Sequence, residues 1–239
     1  MKAMLLAAGL GTRLKPWTDQ HPKALAVVNG RSLLQRNIEY LQSFGIKEVI
    51  INVHHFPDQI VGELEENKGW GSNITISDER DAVLETGGGL KRASWFFKNE
   101  SCFVLMNVDV LTDMALDKMI DFHLSVGPVA TLATTNRNTS RYFLFNEDNV
   151  LCGWRNIKTG EEKTPRTAST LQPKAFSGIH VISTDLFSLM NLPDQKFSMV
   201  DLYLSICDTH NIVSFEHAAG NFIDVGTLES VVKAAELFN

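Results

Sequence analysis

The residues with most chemical potential lie near the start of the chain. Ala7-Ala8-Gly9-Leu10-Gly11-Thr12 follows the first apolar run and leads directly to Arg13, with Lys23 further on after Pro22. Glycines let a backbone approach an anion and turn its N–H groups toward it. Arg13 adds a planar fork matched to phosphate oxygens, and Lys23 a second cation. Such a set can bind and neutralise phosphates. A tight turn carrying two solvated cations would use the same residues. Two other glycine patterns are excluded. A dinucleotide fingerprint needs a third glycine, where Leu14 stands, and an early second strand ending in an acid; here that strand comes late and ends at Asn52, ahead of His54 and His55. A Walker loop ends in Gly-Lys-Ser/Thr, which this chain lacks.

Three further stretches could do chemistry. Leu84-Glu85-Thr86-Gly87-Gly88-Gly89-Leu90 precedes a helical pattern. A nucleobase could lie flat on such side-chain-free backbone; a helix start that needs a tight entry would read the same. Asp109 follows the apolar run Val104–Met106, at the strand end where open α/β sheets bind ligands. Asp224 precedes the last helical pattern, where an acid can serve as an N-cap or as a ligand. His54, His55, His180, His210 and His217 are scattered without ligand spacing and read as packing or solvated side chains. Cys102, Cys152 and Cys207 are far apart and odd in number, which suits reduced, structural thiols.

These residues must be held by a fold of matching size. The 239 residues allow one large domain, and 44% hydrophobic with 21% charged residues is ordinary globular composition. A net charge of −6 with no Lys/Arg run argues against a nucleic-acid or anionic-membrane surface. The apolar start is too short for a membrane span and lacks a signal-peptide layout. Strands are expected at 2–7, 48–53, 73–77 and 102–107, with helices at 32–44, 58–67 and 88–97; Ser32 and Gln35 form a capping-box pattern. Further on, the pattern gives a helix at 113–124, a strand at 129–135 and a hairpin at 142–150. A polar, mobile loop is expected at 156–173, then a strand at 176–182 and helices at 199–208 and 228–238. Strands alternating with helices imply a parallel sheet covered on both faces. A nucleotide-binding half up to residue 112 and a substrate half at 113–239 would share that one sheet.

Taken together, Leu6 to Leu25 resembles the signature of the sugar-nucleotide pyrophosphorylase superfamily, roughly L-A-x-G-x-G-T-R-L-x-P followed by P-K. It matches at Leu6, Ala7, Gly9, Gly11, Thr12, Arg13, Leu14, Pro16, Pro22 and Lys23. Leu84–Gly89 is similar to that family's base-recognition turn, Asp109 to the acid of its N-G-D element, Phe176–Ile179 to its F-[ST]-x-G-I strand, and Asp224–Thr227 to the end of its W-x-D-x-G-T element. Val108 stands where glycine is usual, and Phe222 where Trp is common. Thr164 separates Lys163 from Pro165, so the lysine role of the family's E-K-P element is not carried over.

The resemblance covers nearly the whole chain. It implies an α/β, Rossmann-like nucleotide-diphospho-sugar transferase fold with a mixed, mainly parallel central sheet flanked by helices. It implies a nucleotidyltransferase that joins an NTP to a phosphorylated small molecule, a sugar 1-phosphate, and releases pyrophosphate. Ala7, Ala8, Gly9, Gly11 and Thr12 would wrap the triphosphate, Arg13 and Lys23 would be catalytic, and Glu85, Thr86, Gly87 and Gly88 would read the base. Asn107, Ser177 and Gly178 would line the sugar side. Asp109 and Asp224 would hold Mg²⁺, a hard cation suited to oxygen ligands. UTP with N-acetylmuramate 1-phosphate is the expected pair; GTP with mannose or heptose 1-phosphate, or CTP with phosphocholine, are the alternatives in neighbouring branches. A non-catalytic homologue would tend to lose Arg13, Lys23 or an Asp, and all are kept. The resemblance further implies a cytoplasmic monomer or small homo-oligomer without nucleic-acid or membrane partners.

Overall fold

The computed structural model describes residues 1–192, 195–217 and 220–238. Strand β1 (Lys2–Leu6) ends at the glycine loop, and the short β2 (Val27–Val28) and β3 (Arg31–Ser32) pair as a hairpin. Helix α1 (Leu33–Ser43) is capped by Ser32, whose Oγ accepts the Gln35 N–H at 3.1 Å. Only half of the expected capping box forms, because the Gln35 side chain donates to Glu39 instead. Then follow β4 (Glu48–Val53), α2 (Pro57–Glu66), β5 (Asn73–Asp78), α3 (Glu85–Arg92), β6 (Cys102–Asn107) and β7 (Val110–Thr112). The second half holds α4 (Leu116–Val126), β8 (Ala130–Thr135), β9 (Arg141–Phe145), β10 (Leu151–Asn156), β11 (Glu161–Lys163) and β12 (Gln172–Ser183). It closes with α5 (Met199–Ile206), β13 (Ile212–Glu216), β14 (Phe222–Asp224) and α6 (Leu228–Leu237).

The main sheet runs β11-β10-β9-β12-β6-β1-β4-β5, with β8 also on β12 and β13 beside β8. The expected mixed α/β sheet is present. Its parallel pairs are β6–β1, β1–β4, β4–β5 and β8–β13, and the rest are antiparallel. The difference between halves follows from the connections: helices link the early strands, whereas tight turns link β9, β10 and β11. The sheet is continuous across the middle of the chain, because β12 pairs directly with β6.

Helices cover both faces of the parallel part, so its inner strands β1, β4 and β6 are apolar nearly throughout, while the edge strand β5 alternates. Met4, Phe103 and Leu105 face one core with Leu90 of α3 and Leu202 and Tyr203 of α5. Ala3, Leu5, Val104 and Met106 face the other, with Leu34 and Ile38 of α1, Ile60 of α2 and Met119 of α4. All three cysteines are buried and free, and burial pushes each thiol up, Cys207 to about 11. No helix among the described residues is long and apolar enough to cross a membrane.

Several expected elements differ. The helix expected at 88–97 is α3 at Glu85–Arg92 followed by a 3₁₀ turn at Ser94–Phe97, so the glycines lie inside the helix. The polar stretch at 156–173 is not all loop. Glu161–Lys163 form β11 on β10, and Gln172 and Pro173 begin β12. β11 is exposed along its length, so it has no apolar alternation to reveal it. The helix expected from residue 113 starts at Leu116 and ends at Gly127, which adopts φ 66° as a left-handed cap. The hairpin expected at 142–150 extends further, since its second strand is Leu151–Asn156.

Candidate active site

Parallel pairing brings the ends of four strands to one edge. Leu6 lies in register with both Asn52 and Asn107, and Asn52 with Ser77. The glycine loop leaves from Leu6 and is tied down at once: the Ala7 N–H donates to Asn52 Oδ1 at 2.8 Å. The Asn52 amide in turn donates to Glu79 Oε1 at 2.9 Å. Glu79 is fully buried, and burial holds its carboxyl above the ordinary range. Neither Asn52 nor Glu79 was singled out as a site residue from the sequence. The signal available was a polar side chain closing the apolar run Val49–Ile51. Gly11 takes φ 62°, and a Cβ there would lie 2.9 Å from Thr18 Cγ2, so glycine is required on two counts. The Thr18 hydroxyl donates to the Gly11 carbonyl at 2.9 Å.

The two cations and two acids meet across the cleft. Lys23 Nζ is paired with Asp109 Oδ2, with side chains only 11% and 20% exposed. Arg13 Nη2 lies 3.6 Å from Asp224 Oδ1 in a more open setting. Pairing of β14 with β7 sets Asp224 opposite Val110, and the Val225 N–H donates to the Asp109 carbonyl at 2.8 Å. That pairing brings together two acids far apart in sequence. Asp224 is not the helix cap: Thr227 caps α6, its Oγ1 accepting the Ser230 N–H at 3.2 Å. Desolvation by the cleft raises the Asp224 carboxyl above its ordinary range, and the Asp109 charge adds to this, against Lys23, Arg13 and Arg137.

Two cavities open here, of about 430 Å³ and about 350 Å³. Thr86 and Asn107 line both. The first is walled by the loop residues Ala7, Ala8, Gly9, Gly11 and Thr12, together with Arg13 and Lys23; Glu85 and Asp109 complete it. The second takes in Ser177, Gly178 and Asp224. Gly87 and Gly88, expected to face a base, line neither. A Cβ on Gly87 would fall 2.5 Å from the Phe197 ring, and one on Gly88 would fall 2.2 Å from the Gln195 carbonyl oxygen. Their lack of side chains admits the protein's own segment, and Glu85 and Thr86 are the residues of that motif that reach the cavity. Arg137, Arg141, Tyr142 and Trp154 also line the second cavity. Sequence reasoning missed them because none belongs to a recognisable motif, and only the folding of β9 and β10 beside β12 brings them to this cavity.

Gly88→Ala is expected to destabilise the protein by about 2 kcal/mol, measured by urea unfolding. Helix propensity favours alanine by roughly 1 kcal/mol. Overpacking against a backbone oxygen, which cannot rotate away, costs about 1–3 kcal/mol and more at so short a distance, and it outweighs that gain. A variant as stable as the parent would refute the packing account.

The nucleotidyl transferase family model matches residues 2–239. The chain belongs to the nucleotidyl transferase family. Among curated relatives, N-acetylmuramate alpha-1-phosphate uridylyltransferase of Caulobacter vibrioides is 43% identical over 109 residues, 45% of each chain. Mannose-1-phosphate guanyltransferase of Pichia angusta is 28% identical over 231 residues, covering 95% of this chain and 61% of that one. The chain thus covers less than two thirds of the length of these curated relatives. Among solved structures, HddC from Yersinia pseudotuberculosis complexed with GMP-PN superposes with a TM-score of 0.80 over 100% of this chain and 99% of that one, at 24% identity. At that identity the likeness speaks for the nucleotidyl transferase fold alone.

Proposed function

We propose that this family member transfers a nucleoside monophosphate from an NTP to a sugar 1-phosphate and releases pyrophosphate. The observation that carries the reading is the meeting of two cavities at Thr86 and Asn107, with Asp109 in the wall of one and Asp224 in the wall of the other. The glycine-loop cavity suits the NTP, with loop N–H groups, Arg13 and Lys23 around its phosphates. The second cavity suits the sugar phosphate.

An acceptor phosphate oxygen forms a bond to the α-phosphorus of the NTP as the bond from that phosphorus to the β-phosphate oxygen breaks, and pyrophosphate leaves with the bonding electrons. A phosphomonoester has a second pKa of about 6, so the nucleophile is already an anion at neutral pH. No general base is required. The chain's own contribution is alignment of the two substrates and neutralisation of charge by Arg13 and Lys23. Mg²⁺ fits the donor set: Asp109 and Asp224, whose backbones the β7–β14 pairing brings together and whose charges interact, offer hard oxygen ligands, and Mg²⁺ commonly takes one or two carboxylates with substrate phosphates completing its shell. Bound between Asp109 and Asp224 it would supply further neutralisation of the phosphates.

The preferred pair is UTP with N-acetylmuramate 1-phosphate, supported by the 43% identity to the Caulobacter uridylyltransferase. GTP with mannose 1-phosphate is the second reading, supported by the longer but weaker match to the Pichia guanyltransferase. Pyrophosphate release, measured for each common NTP crossed with these sugar 1-phosphates, heptose 1-phosphate and phosphocholine, separates them. Fastest turnover is expected for the first pair and only with Mg²⁺ present. Turnover of another pair would replace the substrate reading, and none with any pair would overturn the transfer reading.

A further inference from the structure

The second cavity also holds the guanidinium of Arg137. Arg137 follows the end of β8 and is half-buried. Its Nη2 donates to the Phe176 carbonyl at 2.6 Å, and its Cζ lies 5.0 Å from the centre of the Phe222 ring. These contacts fix the head group. They do not satisfy it: Nε is buried with no hydrogen-bond partner, and among the described residues no carboxylate forms an ion pair with Arg137. Burial works against its charge, and only the nearby Asp224 carboxylate and Tyr142 favour it. Arginine remains charged in proteins and carries five donors, so an underused, half-buried guanidinium in a cavity calls for an anion.

We propose that Arg137 binds the phosphate of the acceptor. This rests on the transfer reading above. Arg13 and Lys23 are already set against Asp224 and Asp109 on the side of the glycine loop. Arg137 shares with Asp224 the second cavity, which also holds Ser177 and Gly178, and their charges interact. An acceptor whose phosphate attacks at the seam must carry its dianion past Asp224. Without a cation on its own side, that approach is repelled by the carboxylate. Arg137 removes the repulsion and, held by Phe176 and Phe222, orients the phosphate with little loss of side-chain freedom. Arg141, Tyr142 and Trp154, on the same cavity wall, are left for the sugar.

Titration calorimetry tests the assignment on the intact protein. N-acetylmuramate 1-phosphate and mannose 1-phosphate are each titrated beside the corresponding free sugar, and UTP and GTP are titrated separately. Arg137→Gln is expected to weaken the bound sugar phosphate about tenfold or more, to leave the free sugar unchanged, and to keep NTP affinity within about twofold. Arg137→Lys, which keeps the charge and loses the fork, falls between. A glutamine variant that binds the sugar phosphate as the parent does overturns the proposal. So does one that loses NTP and sugar phosphate alike, which marks a structural role. A parent protein that binds the sugar phosphate through Arg137 yet turns over no pair overturns the transfer reading and leaves this assignment standing. A parent that binds neither sugar phosphate overturns this assignment, and the turnover assay above decides the transfer reading separately.

Discussion

Replacing Lys23 with methionine is expected to cut turnover by about 10²–10³-fold, equivalent to roughly 3–4 kcal/mol of barrier, the usual cost of deleting one preorganised charge at a reacting centre. The same substitution should make the protein more responsive to divalent cations. Lys23 is the counter-ion of Asp109, and both side chains are largely shielded from water. Methionine fills a similar volume but leaves Asp109 unpaired beside Asp224, whose carboxyl already feels the Asp109 charge. Breaking a buried pair costs about 3–5 kcal/mol, less here because the acid keeps some exposure. A divalent cation would recover part of that loss. The parent, with Lys23 in place, has less to gain. Thermal melts with and without Mg²⁺ should therefore show a larger stabilising shift for Lys23→Met than for the parent, while steady-state assays show the loss of turnover. Equal shifts would mean that Lys23 and the cation do not share Asp109. Near-parental turnover would remove Lys23 from the machinery.

How far the site was legible follows from where its information lies. The glycine loop was legible because its demands are local. Gly11 needs positive φ and space for Thr18, both set within a few residues. Asp109 was legible because an acid at the end of the apolar strand β6 has one structural meaning in an α/β sheet. Asp224 was harder. Its neighbour is supplied by the antiparallel β7–β14 pairing, joining residues more than a hundred positions apart, and no local pattern encodes that register. The Gly87–Gly89 motif carries a packing demand as well, which its local pattern does not show. Gly87 and Gly88 admit Phe197 and Gln195 close to helix α3, and Gly89 admits Glu79 and Asn52, packing demands set by distant segments. Asn52, Glu79 and Arg137 went unread because each is an ordinary polar residue until the sheet and the hairpins bring it to the cleft. The inner parallel strands β1, β4 and β6 announced themselves through nearly unbroken apolar runs. The exposed β11, with Lys163 and Arg155 answering Glu161 and Glu162, did not.

Acidification should destabilise the protein steeply below about pH 6.5, and two buried histidines should account for about 4 kcal/mol of the loss at pH 5. His180 is 2% exposed, and the Tyr203 hydroxyl sits 2.9 Å from its Nδ1. Burial pushes its pKa down to about 3. His123 is 3% exposed, lies 2.9 Å from Thr131 Oγ1, and is lowered by burial to about 4. In the unfolded chain both return to an ordinary value near 6.5. Between these limits the unfolded chain takes up two protons that the native chain refuses, so stability falls as pH falls. Each histidine contributes a slope of about 1.4 kcal/mol per pH unit, or about 2 kcal/mol by pH 5. Native domains are stable by only about 5–15 kcal/mol, so this is a large share. Glu79 acts in the opposite sense, because a raised carboxyl pKa favours the native state as pH falls. Its effect is common to parent and variant and cancels in the comparison. Urea unfolding at pH 7.5 and pH 5.0 should show the acid-induced loss shrinking by about 4 kcal/mol in the double variant His123→Gln/His180→Gln. Both substitutions will lower stability at neutral pH through lost packing, which does not enter the difference between the two pH values. An unchanged acid loss in the double variant would place the sensitivity elsewhere, in carboxylates such as Asp78, which its hydrogen bonds from Arg80 hold below the ordinary range.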